Sequence, residues 1–276
     1  MSGTLYVVGT PIGNLGDISP RAVETLENCD FIAAEDTRVT LKLLNHFGIK
    51  KPMISYFEHN KFERGPIIAN RLLSGENGAI VTDAGMPAIS DPGEDLVKLC
   101  IERGIKVESV PGPCAFATAL AVSGMPSRRF TFEGFLSTEK SARKAHISSL
   151  VGEERTMIFY EAPHKLSATL TDLAAALGNR DIAIVRELTK IHEQVIRTEL
   201  CAAAEKYSKE DLKGEIVLIV SGAEHKEEEE MTLEQAISFA KELVENGETK
   251  TAAAKIAAKE SGFKKGDIYK SLIEEE

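Results

Sequence analysis

The sequence predicts an α/β fold of two domains followed by a small helical tail. Short β-branched runs alternate with amphipathic segments, a pattern typical of a mostly parallel sheet with helices on both faces. Gly- and Pro-rich turns follow strand-like runs at Val7 to Asp17, Thr82 to Gly93 and Val110 to Leu120. Near the C-terminus an acidic run, Glu224 to Glu230, precedes a purely helical pattern, which indicates a linker and a further unit.

The N-terminal domain is predicted at residues 1–122. Ser19 and Pro20 combine a helix N-cap with proline at the first helical position, and Asp91 and Pro92 repeat this signal. Ligands of parallel sheets bind beyond the carboxyl ends of the strands, where the Gly-Pro turns fall. The predicted strands are LYVVG, FIAAED, MISYF, AIVTD and VESV, and the predicted helices are RAVETLENC, TRVTLKLLNHFG, Ile67 to Leu73 and EDLVKLCIERG.

The second domain is predicted at residues 123–222. Only Thr189 to Ile191 separates two of its strands, which indicates a hairpin and hence a sheet of mixed strand directions. The predicted strands are FTFEGF, TMIFY, DIAIVREL, HEQVIRTEL and GEIVLIVSG, and the predicted helices are Lys140 to Leu150 and a segment after APHK.

An acidic linker at 223–230 leads to a tail at 231–276, where Gly247 and Gly262 stop the first two of three helical patterns. A helix, a Gly-containing turn and a second helix resemble a helix-turn-helix, a motif that contacts nucleic acid in many proteins. A packing cap or an oligomerisation arm explains the same pattern, so these interpretations stay open.

Composition limits the compartment and the partners. The 276 residues are 43% hydrophobic, and no apolar run is long enough to span a membrane. The N-terminus lacks a basic leader, so we expect a cytoplasmic protein. The four cysteines and six histidines lack ligand spacing, which predicts reduced thiols and no metal site. The net charge of −10 argues against general binding of nucleic acid, but a local basic face is open to Arg128, Arg129, Lys140, Arg143, Lys144, Lys165 and Lys190.

Several motifs at strand ends carry polar chemistry. AEDTR (34–38) suits a hydroxyl and a phosphate, or else a helix N-terminus where Asp36 caps and Glu35 pairs with Arg38. FYEAPHK (159–165) joins aromatics to acidic and basic groups, which favours a functional role. VRELTK (185–190) extends this polar rim. GTPIGNLGD is not a dinucleotide fingerprint, because its glycines are spaced by four and three residues.

Taken together, VGTPIGN, AEDTR, TDAGMPAISDPG, VPGPCA, FYEAPHK, RELTK and KGEIVLIV resemble the tetrapyrrole methylase superfamily over essentially the whole chain. The exact residues of these motifs are similar to those of the branch that methylates a cytidine ribose 2′-hydroxyl of 16S rRNA in the small ribosomal subunit. The resemblance implies a two-domain α/β fold with S-adenosylmethionine in the cleft between the domains, and usually a homodimer.

The resemblance also implies a set of cofactor-binding residues. Met86 stands where threonine is common in the branch, which we expect to alter at most one hydrogen bond. The implied residues come from the turns of the first domain and the strand ends of the second: Pro11, Ile12, Gly13, Asp83, Gly85, Met86, Pro87, Ile89, Cys114, Ala115, Phe159, Tyr160, Arg186, Glu187, Gly214, Glu215 and Ile216.

Methyl transfer to a ribose hydroxyl needs its oxygen, the methyl group and the sulfur in line, and a base that takes the hydroxyl proton helps. The sequence leaves open which residue acts. The candidate bases are Glu35, Glu161, His164 and Glu187, and the candidate phosphate ligands are Arg38 and Lys165.

Two other functions use the same features. One is a methylase of a small tetrapyrrole or of a protein side chain, with the same cofactor cleft. The other is a ligand-sensing regulator whose tail binds nucleic acid. AEDTR and FYEAPHK favour the methylation of RNA. A regulator would need a basic recognition helix, whereas the last helical pattern ends in acidic residues.

Overall fold

A computed structural model of the chain describes residues 2–91, 93–224 and 231–274. The predictions that concern Pro92 and linker residues 225–230 lie outside the described residues. The chain divides into two compact units, Met1–Ala223 and Glu224–Glu276, and the first unit holds two five-stranded sheets.

The first sheet confirms the predicted alternation of strands and helices. In chain order it comprises β1 (Thr4–Val8), α1 (Pro20–Asn28), β2 (Phe31–Ala34), α2 (Thr37–His46), β3 (Met53–Ser55), α3 (Lys61–Leu73), β4 (Gly78–Val81), α4 (Gly93–Glu102) and β5 (Lys106–Val110). The strand order is β3-β2-β4-β1-β5, and every pairing is parallel. Two separate apolar clusters pack on the sheet, as expected where helices cover both faces.

Local signals in the sequence explain where most of these helices begin. Ser19 Oγ accepts a hydrogen bond from the Ala22 amide, with Pro20 at the first helical position, as predicted. Helix α3 begins at Lys61, six residues before the predicted start. The sequence interpretation placed this helix around Ile67 to Leu73, whereas the structure continues it through Pro66, although proline usually interrupts a helix.

Three Gly-Pro turns at the carboxyl ends of β1, β4 and β5 are bound directly to one another. Thr10 and Gly85 exchange two backbone hydrogen bonds, of 2.9 and 3.2 Å between nitrogen and oxygen. A Cβ placed on Gly9 would lie 2.7 Å from the backbone of Gly112, and one on Gly112 would lie 2.8 Å from the backbone of Gly9. The two backbone segments approach this closely only because neither Gly9 nor Gly112 has a side chain.

The second sheet has mixed strand directions. Its elements are α5 (Ala115–Ser123), β6 (Phe130–Phe135), α6 (Lys140–Ser149), β7 (Thr156–Glu161), α7 (Leu166–Leu177), β8 (Asp181–Arg186), β9 (Gln194–Glu199), α8 (Leu200–Tyr207) and β10 (Ile216–Val220). The strand order is β6-β7-β10-β8-β9. The β6–β7 pair is parallel and the other pairs are antiparallel, which confirms the predicted β8–β9 hairpin. Helix α8 was absent from the sequence prediction.

Each face of the second sheet packs on helices. Leu170 and Leu173 of α7 and Leu200 of α8 belong to the apolar cluster on one face. Ala119 and Leu120 of α5 belong to the cluster on the other face, which also includes Ile12 from the turn after β1. The second sheet is therefore packed directly against a turn of the first.

The tail contains the three predicted helices, α9 (Leu233–Glu245), α10 (Lys250–Ser261) and α11 (Lys265–Glu274). Thr232 and Gln235 form a capping box at the start of α9, and Gly262 ends α10 in the left-handed conformation, at φ 76°. The helices share a small core of Ala236, Ala240, Ala254, Ala257, Ile268 and Leu272. Throughout the described residues, no helix is both long and apolar enough to cross a membrane.

We predict that Gly112→Ala lowers the free energy of unfolding by about 1–3 kcal/mol, because the added Cβ meets rigid backbone atoms of Gly9. The control is Gly152→Ala, whose Cβ meets nothing within 4 Å and which we expect to change stability by about 0.5 kcal/mol or less. Urea unfolding of both variants measures the difference, and equal stabilities would contradict the tight packing of the two turns.

Candidate active site

A cavity of about 410 Å³ lies where the Gly-Pro turns of the first sheet meet the strand ends of the second. Its walls thus come from both sheets. The lining residues from the first part of the chain are Ile12, Glu35, Thr82, Ala84, Gly85, Met86, Ile89, Ser90, Asp91, Cys114 and Ala115, and those from the second part are Phe135, Tyr160, Glu161, Ala162, Pro163, Leu188, Glu215, Ile216 and Val217.

The structure brings many of the sequence-predicted site residues together in this lining and leaves others beside it. Those in the lining are Ile12, Gly85, Met86, Ile89, Cys114, Ala115, Tyr160, Glu215 and Ile216, together with the candidate bases Glu35 and Glu161. Those outside it, although most are chain neighbours of lining residues, are Pro11, Gly13, Asp83, Pro87, Phe159, Arg186, Glu187 and Gly214, together with Arg38, His164 and Lys165.

Strand geometry explains why Phe159 and Tyr160 differ. Successive side chains of a strand point to opposite faces of the sheet. Phe159 is fully buried in the cluster formed with α7 and α8, whereas Tyr160 packs on the other face, with α5. The Tyr160 hydroxyl accepts a hydrogen bond of 3.2 Å from the Phe116 amide at the start of α5, and burial raises the pKa of Tyr160 to about 12.

The lining carries an unusual balance of charge. Among the described residues that form it are four acids, Glu35, Asp91, Glu161 and Glu215, and no Lys, Arg or His. Acidic groups attract a cation, and they repel phosphate and other anions. The cavity therefore suits a ligand that carries positive charge, on a wall that is otherwise largely apolar.

Two strained loops border the cavity. Ala88 and Ser90, in the loop before α4, have φ values of 67° and 63°, and Glu187 and Thr189, after β8, have values of 52° and 65°. This conformation costs a non-glycine residue of the order of 1–3 kcal/mol, and it persists where the surroundings enforce it, often at functional sites. Asp91 holds the first loop, because its Oδ1 accepts hydrogen bonds from the amides of Ala88 (2.9 Å) and Gly93 (2.7 Å).

The AEDTR motif divides its two acids between two tasks. The Glu35 carboxylate accepts a hydrogen bond of 2.5 Å from the Thr82 hydroxyl and lines the cavity. Asp36 caps α2 and pairs with Arg38 at 2.6 Å, and these hydrogen bonds lower the pKa of Asp36 to about 2. The cap on α2 was anticipated, but the alternative in which Glu35 pairs with Arg38 is wrong. The Arg38 side chain is 87% exposed.

Asp83 stands beside this motif. Its Oδ1 accepts a hydrogen bond of 3.1 Å from the Asp36 amide, and partial burial together with the nearby Glu35 raises the pKa of Asp83. Asp83 thus connects the end of β4 to the start of α2.

Glu187 braces the segment Gly214 to Ile216, of which Glu215 and Ile216 line the cavity. Its Oε1 accepts hydrogen bonds from Lys190 Nζ at 2.9 Å and from the Glu215 amide at 3.0 Å. Gly214 has a φ of 98°, a conformation that favours glycine, and a Cβ there would also lie 2.5 Å from the Glu187 side chain. Arg186 supports the same region, because its guanidinium donates to the Lys213 carbonyl oxygen at 3.0 Å.

Sequence reasoning missed several lining residues, among them Phe135. Phe135 lies opposite Tyr160 in the register of the β6–β7 pair, with ring centroids 5.5 Å apart, and it remains 59% exposed. The sequence places Phe135 at the end of a strand, but the pairing that brings it to the cavity is a property of the whole sheet. Ser90 and Asp91 belong to a motif whose other residues were selected, and only the loop geometry shows their role.

A basic groove lies between α6 and α7, which contact each other through Arg143. Arg143 of α6 contacts Thr169 at 2.9 Å and Asp172 at 2.7 Å. The groove has a volume of about 560 Å³ and is lined by Lys140, Arg143, Lys144, Ile147, Ser148, Asp172, Ala175 and Ala176. His164 and Lys165 immediately precede α7, and they directly follow cavity residues Ala162 and Pro163.

Comparison with known proteins matches this architecture. The family described as Tetrapyrrole (Corrin/Porphyrin) Methylases matches residues 4–204. The chain is 46% identical to a Ribosomal RNA small subunit methyltransferase I of Synechocystis, over 99% of this chain and 98% of that protein. A protein of the same name from Thermotoga maritima is 47% identical over its whole length, which covers 80% of this chain.

Two crystal structures show the same fold. The methyltransferase CobJ superposes with a TM-score of 0.62 at 17% identity, covering 80% of this chain and 95% of that one. Uroporphyrin-III C-methyl transferase from Thermus thermophilus, complexed with S-adenyl homocysteine, superposes with a TM-score of 0.57 at 16% identity, covering 79% and 97%.

The brace formed by Glu187 predicts a stability that depends on pH. The pKa of Glu187 is lowered, chiefly by the hydrogen bond from Lys190, so its stabilising effect is present at neutral pH and is lost as pH falls through the lowered pKa. We expect Glu187→Gln to cost about 1 kcal/mol at pH ~7 and progressively less below pH ~4.

Urea unfolding at both pH values measures this effect. Glu210→Gln is the control, because Glu210 is exposed and we expect its replacement to change stability little at either pH. A cost for Glu187→Gln that is the same at both pH values would show that the ionised carboxylate is not what stabilises the loop.

Proposed function

This chain belongs to the tetrapyrrole methylase family, and we propose that it transfers a methyl group from S-adenosylmethionine to a cytidine ribose 2′-hydroxyl of 16S rRNA. The observation that best supports this cofactor is the charge of the cavity. Its described lining contains four acids and no Lys, Arg or His, which suits the positive charge of a sulfonium. The identity of 46% over nearly the full length to a Ribosomal RNA small subunit methyltransferase I supports RNA as the substrate.

The alternative substrates fit less well. A methylase of a small tetrapyrrole would have the same fold. The solved structures of uroporphyrin-III-C-methyltransferase and CobJ are only 17% identical to this chain, so they support the shared fold and not a shared substrate. A ligand-sensing regulator needs no reactive group in its cavity, whereas Glu35 and Glu161 both line this one. We therefore retain the ribosomal substrate.

The decisive experiment measures methyl transfer directly. Purified protein is incubated with methyl-tritiated S-adenosylmethionine and small ribosomal subunits that lack the modification, and nuclease digestion locates the label on the ribose. Label in 16S rRNA supports the proposal. Label only in an added tetrapyrrole or in a ribosomal protein would replace the RNA function with one of the alternatives, and binding of the cofactor without transfer to any of these would favour the regulator.

We further propose that the groove between α6 and α7 carries the RNA backbone toward the cavity. Lys140 and Lys144 line this groove, and Lys165 precedes α7 beside the cavity residue Pro163. These cations compensate locally for the net charge of −10. Arg38 is exposed at the start of α2 and offers a second phosphate contact there.

We expect Lys140→Ala combined with Lys144→Ala to weaken RNA binding and to flatten its dependence on salt. Each lost phosphate contact reduces the slope of log affinity against log salt by about 0.7 for single-stranded RNA. Lys98→Ala, on α4, serves as the matched control for the loss of a surface lysine. Binding titrations at several salt concentrations measure the slopes, and a wild-type slope in the double variant would move the RNA path elsewhere.

The tail is proposed to assist with the ribosomal substrate and to be dispensable for cofactor binding. The Thermotoga maritima relative matches over its whole length and leaves a fifth of this chain unmatched, the share that the unit Glu224–Glu276 occupies. No cavity residue lies in this unit among those the structure describes. A helix-turn-helix-like contact with RNA is one role, and a packing arm is the other.

We predict that a chain ending at Glu224 binds S-adenosylmethionine like the full-length protein and methylates ribosomal subunits with a higher KM. The shortened chain keeps Ala223, because the Ala223 amide donates a hydrogen bond of 2.7 Å to the Glu153 carbonyl oxygen and so belongs to the first unit. Calorimetry and steady-state kinetics provide the comparison. An unchanged KM would make the tail a packing arm.

We also expect the protein to act as a homodimer in the cytoplasm, which light scattering and cell fractionation test.

A further inference from the structure

Glu161 is a buried carboxylate with a defined set of donors. The residue is 5% exposed and lies at the end of β7, where it lines the cavity. Its Oε1 accepts a hydrogen bond of 2.8 Å from the Ala162 amide, and its Oε2 accepts one from the hydroxyl of Thr169, a fully buried residue of α7. Such a group is costly to bury unless hydrogen bonds satisfy it.

The Thr169 hydroxyl has two hydrogen-bond partners, and their chemistry fixes its role beside an ionised Glu161. The Thr169 oxygen also accepts a hydrogen bond of 2.9 Å from the guanidinium of Arg143. A guanidinium donates only and does not lose its proton in proteins, and a hydroxyl has a single proton. The hydroxyl oxygen also has two acceptor lone pairs, so Thr169 accepts from Arg143 and donates its single proton to the ionised Glu161 carboxylate, whose two oxygens both act as acceptors.

Arg143 is itself fixed. Its Nε donates at 2.7 Å to Asp172, and its side chain is only 15% exposed. The chain of hydrogen bonds thus runs from Asp172 and Arg143, at the basic groove, through Thr169 to the carboxylate of Glu161 in the cavity. An ionised Glu161 gives every link in this chain a matched donor and acceptor, and the fixed geometry orients the carboxylate as a proton acceptor in the cavity.

We infer that Thr169 and Arg143 are positioning residues that hold Glu161 as the base for the ribose hydroxyl, an inference that rests on the proposed methyl transfer. In that step the 2′-oxygen forms a bond to the methyl carbon while the carbon–sulfur bond breaks, and its electron pair stays on sulfur. The hydroxyl proton passes to the Glu161 carboxylate and then to solvent. The products are the 2′-O-methyl ribose and neutral S-adenosylhomocysteine.

The other candidate carboxylates differ in their surroundings. The Glu187 carboxylate is engaged by Lys190 and the Glu215 amide and does not line the cavity. Glu35 lines the cavity, but its observed partners belong to the turn after β4, at Thr82 and Asp83. The Glu161 network alone, among these described groups, reaches the groove proposed for RNA.

Thr169 provides a sharp test because it is fully buried and cannot touch RNA itself. Thr169→Ser keeps the hydroxyl and Thr169→Val keeps the shape without it. We expect Thr169→Ser to retain kcat within about threefold and Thr169→Val to lose about tenfold or more, by loss of one hydrogen bond to a charged group. The KM for ribosomal subunits and the affinity for S-adenosylmethionine remain near the wild-type values in both variants.

The same pair tests the protonation state. Without the Thr169 donor the charged form of Glu161 is less stable, so the acid-side decline of kcat begins at higher pH in Thr169→Val than in Thr169→Ser. Circular dichroism and thermal unfolding confirm that each protein is folded. If Thr169→Val does not fold, Thr169→Ala takes its place, because it also removes the hydroxyl and leaves the groove residues unchanged.

A double-mutant cycle separates positioning from general structural support. In a Glu161→Gln background, Thr169→Val has no carboxylate left to orient, so we expect no further loss of kcat. The same fractional loss in both backgrounds, or an unchanged kcat and pH profile in Thr169→Val, would overturn the inference. Failure of the wild-type protein to methylate any ribosomal subunit would instead overturn the proposed function, so the two failures are distinct.

Discussion

The close backbone contact between Gly9 and Gly112 is the constraint on which the site depends. It places the turn after β1 against the turn after β5, and the hydrogen bonds between Thr10 and Gly85 add the turn after β4. Parallel strands end at the same edge of a sheet, so these turns are near neighbours in any case. The missing side chains convert that proximity into a single rigid rim. Ile12, on this rim, then packs into the apolar cluster of the second sheet and fixes one wall of the cavity to the other.

Charge is distributed in a way that the net value conceals. Acids line the cavity, while Lys140, Lys144 and Arg143 line the groove between α6 and α7. A cationic cofactor and a polyanionic substrate need opposite potentials, and neither surface serves both. The separation explains how a chain with a net charge of −10 is compatible with an RNA substrate.

Much of the fold and part of the site follow from local sequence. Caps such as Ser19 and stops such as Gly262 depend on neighbouring residues only, and the prediction located them correctly. The prediction around Ile67 to Leu73 missed the first residues of α3, because the surrounding structure accommodates Pro66 inside the helix although proline is locally unfavourable there. The lining residue Phe135 and the pairing of Arg38 with Asp36 depend on register and on side-chain choice between near-equal partners. These lie beyond what spacing along the chain specifies.

The Thr169 hydroxyl illustrates the limit most clearly. In the sequence Thr169 is an ordinary residue in a helix, eight positions after Glu161, and nothing there links it to the carboxylate. The link exists because the turn at Pro163–Lys165 brings α7 back along β7, and because α6 packs beside α7 with Arg143 facing it. The Thr169 side chain takes no part in the reaction itself, but its hydrogen bond orients the Glu161 carboxylate that we propose as the base. Function in this site is therefore set by packing of helices behind the strands as much as by the motifs at the strand ends.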